Sequence, residues 1–180
     1  MRNRFLILFL VVATLFACSS DPMSTDDMNK PGGERATPVN FKVKNIMGTY
    51  TFGFDVVTSI DCGAFNLSAE GEGIVSHLGP STILEEWCWD PTMPIVVGER
   101  YNTFTAANGD ELWGEIQSIE YPEPGNSDLF VEVVNFIGGT GRFEDAGGTI
   151  TQTVVTSPNS DFSGTFTYSA EGTLIYNTKE

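Results

Sequence analysis

The stretch Gly138-Gly139-Thr140-Gly141-Arg142-Phe143-Glu144-Asp145-Ala146-Gly147-Gly148 constrains this chain more than any other. Five glycines bracket one short amphipathic piece, with a β-like segment on either side. Glycine tolerates positive φ and lets backbones approach closely, so the run reads as a corner joining two strands. Arg142 to Ala146 is long enough for one helical turn that tucks Phe143 under a sheet. A phosphate cradle is the competing reading, and the spacing is against it. A P-loop requires Gly-Lys-Ser/Thr after its glycines, whereas Arg142-Phe143 follows Gly141. A dinucleotide fingerprint requires a small residue where Glu144 stands.

Strand patterns dominate the rest. Phe162, Gly164, Phe166, Tyr168, Ala170, Gly172, Leu174 and Tyr176 alternate with small polar residues, the period of a strand with one buried face. Tyr50, Phe52 and Phe54 do the same within Val39–Thr58. In Phe65–Leu78, the positions Phe65, Leu67, Ala69, Gly71, Gly73 and Val75 share a face opposite Glu70 and Glu72. Small inner residues suit the bent strands of a small barrel. Gly79-Pro80 reads as a break. Ser81–Asp90 follows, then a loop marked by Pro91 and Pro94. Tyr101–Ala107 and Asp110–Tyr121 flank Asn108-Gly109, a signal for a two-residue hairpin turn. Leu129–Ile137 and Thr149–Thr156 complete eight strands, the first and last long enough to pair and close the sheet. The spacing is that of an all-β sandwich or barrel.

Ahead of these strands stands an address. Arg2 and Arg4 precede an apolar run from Phe5 to Phe16. Twelve residues rise only about 18 Å as a helix, too short for a bilayer core of roughly 30 Å. That length fits a signal peptide over residues 1–17. Leu15-Phe16-Ala17-Cys18 resembles the lipobox of bacterial lipoproteins, which implies acylation of Cys18 and anchoring at the cell envelope, at the outer membrane. An ordinary secretory signal cut near Ala17 is the alternative. Residues 18–38 are rich in Ser, Asp, Pro and Gly and read as a flexible tether. Residues 39–180 are then one domain.

Charge narrows the partners. Loss of residues 1–17 removes two of nine basic residues and no acid, so the net charge moves from −15 to −17. Such a field repels nucleic acid. Beside Cys18 stand Cys62 and Cys88, in a compartment that permits disulfides. They form either a bridge or two separate buried thiols.

Phe143, Ala146 and Gly148 fall at the offsets of the Gly-Gly-Thr-Gly-x-Phe-x-x-Ala-x-Gly run of the allene oxide cyclase and dirigent barrels, and Gly139 and Gly141 occupy its glycine positions. The corner resembles that signature. Gly71–Gly79, with Thr103–Asp110, is similar to a pattern in exported bacterial proteins. The resemblance implies an eight-stranded antiparallel β-barrel with an apolar cavity, and it carries no catalytic residue over.

Candidates for chemistry are few. His77 is the sole histidine. Strict alternation puts it on the inner face with Val75, where it serves as a base or ligand contact; the plainer role is a hydrogen bond to a strand-end carbonyl. No nucleophile elbow, second histidine or CxxC pair is present, so no cofactor and no metal site is expected. The acidic pairs Glu70/Glu72, Glu85/Glu86, Asp110/Glu111 and Glu144/Asp145 follow no calcium-loop spacing. Tyr50, Phe52, Phe54, Phe166, Tyr168, Trp87, Trp89 and Trp113 either line a ligand pocket or fill the barrel. Three readings follow: a tethered barrel that binds a small apolar ligand or a protein partner without catalysis, a cyclase or isomerase acting on a hydrophobic substrate, or a structural or adhesive module. An open cavity favours the first two and a filled interior the third.

Overall fold

The computed structural model describes residues 36–53, 56, 58, 65–90, 93–96 and 102–177. The signal peptide, Cys18, most of the tether, Phe54 and Cys62 lie outside the described residues.

Alternating apolar residues produce long strands: β1 Val39–Gly53, β2 Phe65–Val75, β3 Gly79–Asp90, β4 Met93–Val96, β5 Asn102–Ala106, β6 Glu111–Glu120, β7 Leu129–Gly139, β8 Gly147–Pro158 and β9 Ser163–Ile175. Every neighbouring pair is antiparallel, in the order β2-β1-β9-β8-β7-β6-β5-β3, and β2 also pairs with β3. The ring is therefore closed. This is an eight-stranded barrel in which β1 and β9 meet along Val39↔Leu174 to Thr51↔Ser163. The short β4 adds to the edge of β3 and is not part of the ring.

Three local expectations differ from the structure. Gly79-Pro80 opens β3 instead of breaking the chain, and the reversal falls on Ser76-His77-Leu78, with Val75 paired to Gly79. Proline is tolerated there because the start of a strand can spare an N–H donor. The Asn108-Gly109 hairpin is not a two-residue turn; its loop runs from Ala107 to Gly109, closed by Ala106 N–H to Asp110 O at 2.9 Å, with only Gly109 at positive φ. The Pro91–Pro94 loop contains β4, an edge strand, where proline costs little.

The two ends of the barrel differ. At one end, Phe41, Phe104 and Phe136 pack edge to face, with centroids 5.0–6.3 Å apart. Leu112, Phe143, Ile150 and Leu174 are fully buried around them. Gly141–Phe143 forms a single 3-10 turn that places Phe143 beneath this end, 5.2 Å from the Tyr176 ring. The corner is stitched to β6 by Thr140 N–H to Glu111 O at 2.8 Å and Glu111 N–H to Thr140 Oγ1 at 2.9 Å. A Cβ on Gly139 would stand 2.0 Å from Glu111 O, so the close approach requires glycine. Gly148, at φ +122, lies equally tight against Thr173 O.

Candidate functional site

The opposite end is hollow. A cavity of about 810 Å³ opens there, within the size range of small-molecule sites. Tyr50 and Phe52 from β1, Leu67 and Ala69 from β2, and Trp87 from β3 line one side. Ile116, Ile119, Phe130, Val154 and Phe166 line the other. Aromatic pairs rim the mouth: Phe52 meets Phe162 at 5.4 Å, Trp87 meets Phe130 at 6.0 Å, and Tyr121 meets Phe130 at 6.1 Å. Among the described residues that line it there is no lysine, arginine or histidine.

Between the hollow end and the packed end lies a layer of buried polar side chains. Glu85, Asn102, Glu132 and Gln152 are each at most 4% exposed. Strand register assembles them, because Glu85 stands directly across from Asn102, and Glu132 from Gln152. Gln152 Nε2 donates to Glu132 Oε2 and, at 3.5 Å, to Glu85 Oε1. Its Oε1 accepts from Asn102 Nδ2 at 3.2 Å. Gly114, across from Asn102, leaves room for this cluster. Glu85 alone of these four side chains reaches the cavity and forms part of its floor.

Two carboxyl groups in one dry layer cannot both ionise cheaply. Burial raises the Glu85 pKa well above the usual carboxylate range, the nearby Glu132 raises it further, and the Gln152 hydrogen bond opposes both. Tyr168, also in the barrel interior, is 2% exposed, and its hydroxyl has no hydrogen-bond partner among the described residues. Burial and then the charges of Glu85 and Glu132 push its phenol well above 10.0. The phenols of Tyr50 and Tyr121 are also raised, chiefly by burial, so both stay neutral at the cavity wall.

The structure gathers some of the sequence candidates and separates others. Tyr50, Phe52, Phe166 and Trp87 line the cavity, whereas Tyr168 lies outside its lining. His77 is exposed at the packed end, in the left-handed region at φ 66. Its Nε2 lies 2.9 Å from Asn40 O and its Nδ1 3.4 Å from the Tyr176 hydroxyl. That is the strand-end hydrogen bond, and it lies away from the cavity. Trp113 points outward from the barrel and donates to Glu111 Oε2 at 2.8 Å. Cys88 is fully buried, and its proposed partner Cys62 falls outside the described residues.

Glu132, Gln152 and Asn102 were not singled out from sequence. Their signal is present in the alternation: Phe130-Glu132-Val134-Phe136, Ile150-Gln152-Val154 and Asn102-Phe104-Ala106 are inward faces, each carrying one polar residue. Attention to acids adjacent in sequence missed acids that meet across the barrel interior.

No family profile matches the chain, and no curated protein matches it. Among solved structures, the pterocarpan synthase dirigent protein GePTS1 is similar at 12% identity with a TM-score of 0.45, covering 87% of this chain and 99% of that one. The pterocarpan synthase dirigent protein PsPTS1 is similar at 10% identity with a TM-score of 0.44, covering 82% and 100%. The closed ring of eight antiparallel strands is an eight-stranded β-barrel, and that fold rests on the strand pairing of this chain itself.

Proposed function

We propose that this protein binds a small apolar ligand in the hollow end of its barrel, without catalysis, while Cys18 tethers it to the membrane of the cell envelope. The observation that carries the reading is the cavity of about 810 Å³, walled by aromatic and aliphatic side chains from the barrel's strands. A structural or adhesive module has no use for such a space, and packing would close it at a gain in stability. Tethering rests on Leu15-Phe16-Ala17-Cys18 and the apolar run before it.

One observation favours a second reading, a cyclase or isomerase. Glu85 is a buried acid on the cavity floor whose proton is held well above the usual carboxylate range, which is what a general acid requires. Among the described residues no histidine, lysine or arginine lines the cavity beside it to complete an acid–base pair. Binding therefore leads.

Native mass spectrometry of the protein purified gently from its own host tests the proposal. The expected result is a copurifying apolar molecule that disappears in Leu67→Trp, a substitution at a half-buried position on the cavity wall. A bare protein mass across repeated preparations contradicts it.

A further inference from the structure

We propose that Phe162, in the β8–β9 hairpin turn, is a positioning residue of the hollow end: its ring holds Phe52 against the cavity and thereby sets how long an apolar ligand is retained. The inference rests on the binding reading and adds to it a residue that governs release.

Among the described residues, those other than glycine at positive φ are Asn45 at 48, His77 at 66 and Phe162 at 59. Asparagine and histidine enter this region readily, whereas a bulky aromatic residue there is an outlier. The turn accounts for the backbone. Asn159 N–H donates to Ser163 O at 2.7 Å, Asn159 Nδ2 to Ser163 Oγ at 3.1 Å, and Ser163 Oγ to Asp161 Oδ1 at 2.6 Å, so the chain reverses tightly between Asn159 and Ser163. Glycine would take the positive φ without strain. The turn therefore explains the backbone at Phe162 and leaves its ring unexplained.

Burial does not explain the ring either. Phe162 is 60% exposed, so it gains little of the stabilisation that a core phenylalanine brings. Its ring instead meets Phe52 edge to face, with centroids 5.4 Å apart and planes at 83°, and Phe52 N–H donates to Phe162 O at 2.9 Å. Phe52 in turn stacks on Tyr50 at 6.3 Å, and both line the cavity, as does Pro158 at the end of β8. Phe162 lies outside that lining, so it acts on a ligand through Phe52.

A wall side chain already held in place loses little freedom when a ligand arrives, and the complex is tighter for it. An edge-to-face pair of this kind is worth about threefold to tenfold in an equilibrium constant. Strain kept where an unstrained residue would fit points to function. Removing the ring should therefore separate stability from binding: the empty protein stays nearly as stable, while the freed Phe52 weakens the complex. Among variants of one site such losses fall mainly on release.

The test uses the full chain and 4-butylbenzyl alcohol as probe. Isothermal titration calorimetry reads affinity, NMR line shapes read the release rate, and urea unfolding without probe reads stability. Phe162→Gly is expected to unfold at about the wild-type urea concentration, because relief of the strained φ offsets the freedom that glycine adds to the unfolded chain. It should bind the probe about threefold to tenfold more weakly and release it faster by a similar factor. Phe162→Asn, which tolerates the backbone and lacks the ring, should behave in the same way, whereas Phe162→Tyr, which keeps the ring, should bind like wild type. Wild-type affinity in both Phe162→Gly and Phe162→Asn overturns the assignment and leaves the binding reading intact. So does a loss of affinity that comes with a marked loss of stability in both, because the ring is then part of the packing. No binding of the probe by the wild-type protein overturns both.

Discussion

Replacing Glu85 by glutamine should stabilise the protein in proportion to pH. Glu85 is 4% exposed, with Glu132 and Gln152 as neighbours, and its folded pKa lies well above the ordinary carboxylate value of 4.5. Below about pH 4.5 the folded and unfolded chains both carry its proton, so wild type and Glu85→Gln should differ little. As the pH rises above that value, the unfolded chain loses the proton and the folded chain keeps it. The folded state then binds more protons than the unfolded state, and stability falls with pH. One proton of difference changes the unfolding equilibrium constant about tenfold per pH unit, which in a domain of this size lowers Tm by about 4 °C per unit. The loss continues until the pH passes the folded value, and glutamine abolishes it. The other acidic residues are common to both proteins and largely cancel in the difference. Urea unfolding of wild type and Glu85→Gln at half-unit steps from pH 4 to pH 8 measures that difference directly. A flat difference curve, or one in which the variant loses ground as pH rises, would refute the buried-acid argument.

Other outcomes follow from the same geometry. Phe143→Ala should cost about 3–5 kcal/mol in urea unfolding, because a fully buried ring beneath the packed end is removed. The adjacent glycines of the corner should diverge. Gly148→Ala, at φ +122 with a Cβ 2.2 Å from Thr173 O, should cost more than about 2 kcal/mol, whereas Gly147→Ala meets nothing within 4 Å and should stay within about 0.5 kcal/mol. His77→Asn should leave the affinity for an apolar ligand such as 4-butylbenzyl alcohol unchanged in calorimetric titration, since His77 sits at the far end from the cavity and asparagine tolerates its left-handed backbone. Cys18→Ser should move the protein from the detergent phase to the aqueous phase in a Triton X-114 partition, as a lipid anchor at that residue requires.

Much of the barrel was legible in the sequence because period-2 alternation is a backbone property. The faces of β2 and β9 came directly from it: Ala69 and Val75 point inward, Glu70 and Glu72 outward, and Phe166, Tyr168, Ala170 and Leu174 are buried. Closure by β1 and β9 followed from their length. The turns were less legible. Alternation put His77 on the inner face with Val75, but one residue at φ 66 throws the side chain outside, and nothing in Ser-His-Leu-Gly-Pro announces which residue takes that conformation. The site was legible in its walls and not in its floor. Tyr50, Phe52, Phe166 and Trp87 stood out as aromatic residues on strands. Glu132 sits inside a run that reads as apolar, Gln152 inside a threonine-rich strand, and Asn102 at the start of another. They meet only through ring closure and register, which alternation within one strand does not reveal.

Intermolecular NOEs between 4-butylbenzyl alcohol and the methyl groups of the full chain show whether an apolar ligand occupies the hollow end. This neutral probe asks where an apolar ligand sits without relying on the charge of Glu85. Contacts are expected to Leu67, Ile116, Ile119 and Val154, which line the hollow end, and none to Ile150 or Leu174, which fill the packed end. Contacts confined to the exposed methyls of Met47 and Ile74 on the outer wall, or no contacts at all, would contradict a ligand-binding barrel.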